Sequence, residues 1–149
     1  MDIFLLSDEM YKDFVFDGFV SPLMIADDQT RKQIIILDGL SKNIAIPGWR
    51  VGRAIADPAI ITAMSKIQSN MTGNTNSLVQ YGLLEFFVNN DWSFVDTMRE
   101  KLKDTKNTMQ VLFDEANINY IQPQGSLYFF VHIGKHDSVE FCQKLLENQ

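Results

Sequence analysis

An α/β fold built on a mixed, mainly parallel sheet is what this sequence predicts, and three observations carry the prediction. Ile3 to Leu6 and Ile34 to Leu37 are continuously apolar rather than alternating, the pattern of strands covered on both faces. The connection between them is far too long for a hairpin and favours parallel pairing. From Pro58 onward, apolar residues recur at helical spacing.

In chain order, Ile3-Phe4-Leu5-Leu6 is the first strand and ends in Ser7-Asp8-Glu9-Met10-Tyr11. Residues 12–33 hold an aromatic cluster (Phe14, Phe16, Phe19), a Ser21-Pro22 turn and the polar run Asp27 to Lys32, which together read as a long connection with a short helix. Ile34 to Leu37 is the second buried strand. Pro47-Gly48 turns the chain, and Trp49 to Ile55 reads as a third strand, antiparallel to the second because the return is short. Asp57 is placed to cap a helix with Pro58 in its first position, running through Ile60, Ile61, Met64 and Ile67 to about Met71. Ser69 to Asn76, rich in Asn, Thr and Gly, reads as a loop. A helix through Leu78, Tyr81, Leu84 and Phe87 breaks near Asn89-Asn90.

Asp91 or Ser93 then caps the longest helix, which extends towards Glu115 or Ala116 with Phe94, Met98, Leu102, Met109, Leu112 and Phe113 on one stripe. Its polar middle, Lys101 to Asn107, suits a helix bridging two lobes. Tyr120 to Ile133 reads as strands about a turn at Pro123-Gln124-Gly125, and Ser138 to Asn148 as a last amphipathic helix.

The chain has 149 residues, enough for one domain with its own core, and its 46% hydrophobic and 21% charged content is that of an ordinary globular protein. A net charge of −6, with acidic residues spread along the chain, argues against a nucleic-acid partner. The single cysteine, Cys142, cannot form an internal disulfide, which favours a reducing compartment; on the last helix it reads as a buried structural thiol. No stretch is apolar enough to span a bilayer, and the first residues carry no basic segment of the signal-peptide type, so a cytoplasmic location and no membrane partner are expected.

The chemistry gathers at strand ends. Lys42 follows the second strand in the run Gly39-Leu40-Ser41-Lys42, and Gly48-Trp49-Arg50-Val51-Gly52 comes one short loop later. If the first two strands are parallel, Asp8 and Lys42 reach the same edge of the sheet, where open α/β sheets bind ligands. Each residue also has a bland reading: a solvated amine for Lys42, a turn residue for Asp8, a core aromatic for Tyr11. Their company points further. An imine-forming lysine must lose its proton near neutral pH, and a neighbouring guanidinium and partial burial both favour that. Arg50 offers the guanidinium and a bidentate grip on phosphate. Asp8 can pair with a pyridinium nitrogen and Tyr11 with a phenolic oxygen. An amine, a guanidinium, a carboxylate and a phenol so placed suit pyridoxal phosphate. Glu9 reads as a structural or solvated carboxylate. His132 and His136 read as surface residues, and no spacing suggests a metal site.

At these residues the sequence resembles the class I/II aminotransferases, pyridoxal-phosphate enzymes of fold type I typified by aspartate aminotransferase. Gly39 to Lys42 with Gly48 to Gly52 is similar to the family's attachment-site signature. Ser7 to Tyr11 is similar to its upstream strand-end motif, and Pro123-Gln124-Gly125-Ser126-Leu127-Tyr128 to the start of its small domain. The likeness runs from about Ile3 to Leu146. It implies a portion of the large cofactor-binding domain over 1–92, a long inter-lobe helix over 93–118 and the start of the α+β small domain over 119–149.

It further implies amino-group transfer between an amino acid and a 2-oxo acid through an imine on Lys42, in a homodimer or together with a missing N-terminal half. Asp8, Tyr11 and Arg50 would contact the cofactor. Some members carry a phosphate-binding serine three positions before the lysine; here that position is Gly39, which leaves Ser41 as the nearby hydroxyl. The loop Ser69 to Asn76 is similar to the segment that reaches the partner's site in family dimers. Against the family pattern, the N-terminal half and the C-terminal arginine for the substrate α-carboxylate are lacking, so the expectation is a partial chain inactive alone. Two other readings stay open on the same residues: a pyridoxal-phosphate lyase or synthase, and a non-catalytic remnant or interaction module.

Overall fold

The computed structural model describes residues 3–148. A three-stranded sheet is formed by β1 (Leu5–Asp8), β2 (Ile34–Gly39) and β3 (Gly52–Ile55), with β2 in the centre. β1 runs parallel to β2, with Leu5 opposite Ile34 and Asp8 opposite Leu37. β3 is antiparallel, with Ile36 opposite Ile55 and Gly39 opposite Gly52. Both pairings are those the connection lengths predict.

The boundaries differ from the apolar runs. β1 begins two residues late and includes Asp8, because its backbone pairing follows β2 rather than its own hydrophobicity. β3 starts only at Gly52, since Pro47–Trp49 form a 3₁₀ turn and Arg50 is left-handed at φ 53°. A proline that fixes φ and a residue with positive φ cannot both continue a strand.

The long connection after β1 is a 3₁₀ turn at Lys12–Phe14 and two one-turn helices, α1 (Pro22–Ile25) and α2 (Asp28–Arg31). Asp27 caps α2, its Oδ1 accepting from the Thr30 amide at 2.7 Å. β2 passes directly into the one-turn helix α3 (Leu40–Asn43). Then come α4 (Pro58–Met71), capped by Asp57, and α5 (Ser77–Asn89), capped by Asn76 and closed by Asn90 in the left-handed region. The expected loop therefore shrinks to residues 72–76. α6 (Ser93–Glu115) is the longest helix, and Asp91 accepts from the Ser93 amide at its start. β4 (Tyr120–Ile121) and β5 (Phe130–Val131) pair antiparallel over two residues each, and α7 (Ser138–Glu147) is capped by Asp137.

Among the described residues, Phe14, Ile34, Ile36, Leu40, Leu83 and Val95 are the buried apolar side chains. The core thus sits on β2, under the 3₁₀ turn that carries Phe14. Two expectations are corrected here. Ile3 to Leu6, read as covered on both faces, are 46–64% exposed, because β1 is an edge of a three-stranded sheet. Cys142, read as buried, is exposed on α7 together with Val139, Leu145 and Leu146. Apolar character shows where a side chain belongs, and burial needs a neighbour to supply the second surface. None of the described helices is long and apolar enough to cross a membrane.

Candidate active site

The register of β1 and β2 decides which side chains share an edge. Asp8 closes β1 opposite Leu37; β2 continues to Gly39, and α3 presents Ser41 and Lys42 immediately after. Asp8 and Lys42 therefore leave the sheet at the same end of a parallel pair. Asp8 is exposed, and its Oδ1 accepts from the Met10 amide at 3.1 Å, a local turn that swings the chain towards Tyr11. Lys42 and Ser41 are half-buried.

Tyr11 is half-buried, and its hydroxyl lies 2.9 Å from that of Tyr128. This hydrogen bond pushes the Tyr11 phenol up to about 12, with burial, Tyr128 and the negative Asp8 adding to it. Arg50 closes the 3₁₀ turn just before β3, and its Nη1 donates to the Pro47 carbonyl at 2.9 Å. It lines an open cavity of about 710 Å³ between the sheet and α4, with Leu37, Gly52, Ser65, Gln68 and Thr75. Lys42 does not line that cavity. Gly39 is buried under the Met10 thioether, so a side chain there would have to displace Met10.

Three charged residues unremarked in the sequence tie these motifs together. Asp38 is 3% exposed at the end of β2. Its Oδ2 accepts from Lys12 Nζ at 2.7 Å and from Arg53 Nε at 2.7 Å. Lys12 adjoins Tyr11, Asp38 lies four residues before Lys42, and Arg53 three after Arg50. One buried carboxylate thus links the strand-end motif, the lysine turn and the arginine strand. Burial pushes the Asp38 carboxyl up, but the hydrogen bonds and positive charge of Lys12 and Arg53 outweigh it and hold its pKa below the ordinary value. The signal was available in the sequence, as a charged residue inside an apolar strand, but its partners are remote in the chain. Glu9 is buried too, and Ser21 donates to its Oε1 at 2.6 Å, a structural role.

The segment Pro123–Tyr128 docks on the same turn. Val15 and Gly125 form an antiparallel bridge, the Phe16 amide donates to the Gln124 carbonyl, and the Ser126 amide to the Phe14 carbonyl, both at 2.9 Å. A Cβ on Gly125 would lie 2.7 Å from the Phe14 carbonyl oxygen and 2.9 Å from the Val15 Cα, both backbone atoms. Gly125→Ala is therefore expected to cost roughly 1–3 kcal/mol in urea unfolding, the range for overpacking. An unchanged midpoint would show that this bridge does not hold in solution.

The family model for aminotransferase class I and II matches residues 1–149. This chain belongs to that family. The asparagine–oxo-acid transaminase of Streptococcus mutans is 35% identical over 155 residues, covering 98% of this chain and 39% of the relative. The aspartate aminotransferase of Thermotoga maritima is 32% identical over 149 residues, covering 99% and 38%. A crystal structure of the Thermotoga maritima aspartate aminotransferase superposes with a TM-score of 0.85 at 33% identity, over 97% of this chain and 37% of that one. The chain thus spans under two-fifths of the length of these relatives.

In this aminotransferase chain the donor set is complementary to an aromatic aldehyde bearing a ring nitrogen, a phenol and a phosphate. A carboxylate, a hydroxyl, an amine and a guanidinium are the group types that a ring nitrogen, a phenol, an aldehyde and a phosphate would require. Asp8 and Tyr11 lie on one turn, Lys42 on the next strand's tip and Arg50 at the cavity wall.

Proposed function

We propose that this chain provides the lysine-bearing part of a pyridoxal-phosphate-dependent aminotransferase acting on an amino acid and a 2-oxo acid. The observation that carries the reading is the parallel β1–β2 register, which brings Asp8 and Lys42 to one sheet edge. When bound, the cofactor supplies an electron-accepting ring that makes a substrate Cα–H acidic. Lys42 Nζ is the group that moves a proton to and from that Cα. Asp8 holds a proton at the ring nitrogen, and the Tyr11 hydroxyl donates to the phenolic oxygen. Arg50 binds the phosphate, with Ser41 as a second donor and the small Gly39 leaving the approach to Met10.

The same reading assigns residues 1–92 to the large domain, 93–118 to the inter-lobe helix and 119–149 to the small domain. A reducing, cytoplasmic setting goes with the exposed lone Cys142. The exposed apolar strip Ile3 to Leu6 supports work in association, as a homodimer or with a complementary polypeptide that covers β1.

The test is covalent. Incubation with pyridoxal phosphate followed by borohydride is expected to fix the cofactor on the peptide containing Lys42 and to abolish a near-visible absorbance band. Lys42→Ala is expected to lose both band and label. Label spread evenly over the exposed lysines, with no loss in Lys42→Ala, would refute the assignment. So would label concentrated on Lys12.

A further inference from the structure

We propose that Tyr128 is a positioning residue of the candidate site, its hydroxyl fixing the orientation of the Tyr11 hydroxyl from the second lobe. The inference rests on the reading of Tyr11 as a ligand contact. Its geometry stands on its own. The two hydroxyl oxygens are 2.9 Å apart, and the rings meet edge to face, with centroids 5.8 Å apart and planes at 78°.

What holds Tyr128 there is backbone. The Val15–Gly125 bridge and the flanking amide bonds pin residues 124–126 against Phe14–Phe16, and Phe14 itself is buried. Ser126 takes a left-handed φ of 73°, which turns the chain after the bridge. Tyr128 follows two residues later and reaches back to Tyr11, 117 residues away in the chain.

A phenol in a turn would otherwise rotate its O–H freely. A second hydroxyl at 2.9 Å fixes that rotor, because one oxygen must donate and the other accept. The charged groups around Tyr11 do not compete for this bond. Lys12 is drawn onto Asp38, Asp13 accepts from Asn43, and Asp8 accepts from the Met10 amide. Asp8 adds a negative charge that, with the hydrogen bond, keeps the Tyr11 proton in place. An acceptor arriving at Tyr11 would draw the Tyr11 proton over from the Tyr128 oxygen, and the Tyr128 hydroxyl would then rotate to donate to the Tyr11 oxygen.

Tetranitromethane attacks phenolates, so nitration of the intact chain at mildly alkaline pH, mapped by peptide mass, reports the Tyr11 proton directly. Tyr81, 72% exposed, is the internal reference. Tyr128→Phe keeps the ring and removes only the hydroxyl. It is expected to raise the Tyr11-to-Tyr81 nitration ratio roughly tenfold, the effect of about one pKa unit. An unchanged ratio would overturn the proposal. A rise in Tyr128→Ala without one in Tyr128→Phe would assign the effect to shielding by the ring and overturn it too. The readout needs no cofactor, so failed trapping on Lys42 would reject the cofactor reading while leaving the Tyr128–Tyr11 link standing or falling by itself.

Discussion

Replacing Asp38 with asparagine is expected to lower the unfolding free energy by about 3 kcal/mol, the scale of removing one member of a buried, hydrogen-bonded charge cluster. The Asp38 side chain is 1% exposed, and one of its oxygens serves both Lys12 and Arg53. Without the carboxylate, two cations from separate segments face each other across a neutral amide. The other oxygen, Oδ1, is buried with no hydrogen-bond partner among the described residues, so the carboxylate is held through Oδ2 alone.

Lys12→Met and Arg53→Met are each expected to cost less than Asp38→Asn, because either remaining cation still satisfies the carboxylate. Those partners are 27% and 53% exposed, and solvent screens what each contributes. The pH dependence follows from the direction of the shift. Asp38 holds its proton less tightly folded than unfolded, so its contribution is complete above the ordinary value of 3.8 and is lost as pH falls through the lower folded value. Urea unfolding at neutral pH and again below that value should show wild type losing more than Asp38→Asn on acidification. Equal losses, or an unchanged midpoint at neutral pH, would remove Asp38 from this role.

Phe14→Ala is expected to cost about 3–5 kcal/mol, as for other fully buried phenylalanines cut to alanine. Phe14 is 1% exposed and is the largest fully buried side chain. Its ring supports the turn after β1, and its carbonyl accepts from the Ser126 amide. The cavity should therefore loosen two things together: the Asp8–Tyr11 turn, and the docking of residues 124–126 that places Tyr128. Phe14→Leu, which keeps most of the volume, should lose about 1 kcal/mol. Denaturant unfolding of the three proteins checks the order. A loss under about 1 kcal/mol in Phe14→Ala would mean the site's turn is held elsewhere.

Local chemistry was legible wherever it acts through neighbours in the chain. Asp57 with Pro58 opens α4 as the residues predict, and Ile34 to Leu37 lie in a strand. The parallel and antiparallel pairings follow from connection length. The candidate site was legible in part by the same route, since Asp8 and Lys42 mark the tips of two runs that connection length makes parallel. Arg50 was legible as a residue but not as a conformation: its left-handed φ interrupts what hydrophobicity alone extends as a strand from Trp49.

The amino-acid sequence determined the order of elements, the strand directions and the types of group that arrive at one edge of the sheet. These depend on periodicity, capping and chain length, all of which act over a few residues or a single connection. Only the tertiary structure decided that Lys12, Asp38 and Arg53 share one buried carboxylate and that Tyr128 meets Tyr11. It also decided that Ile3 to Leu6 stand exposed. Pairing of charges and covering of apolar surface are set by what packs opposite, and no local pattern records which residue that is.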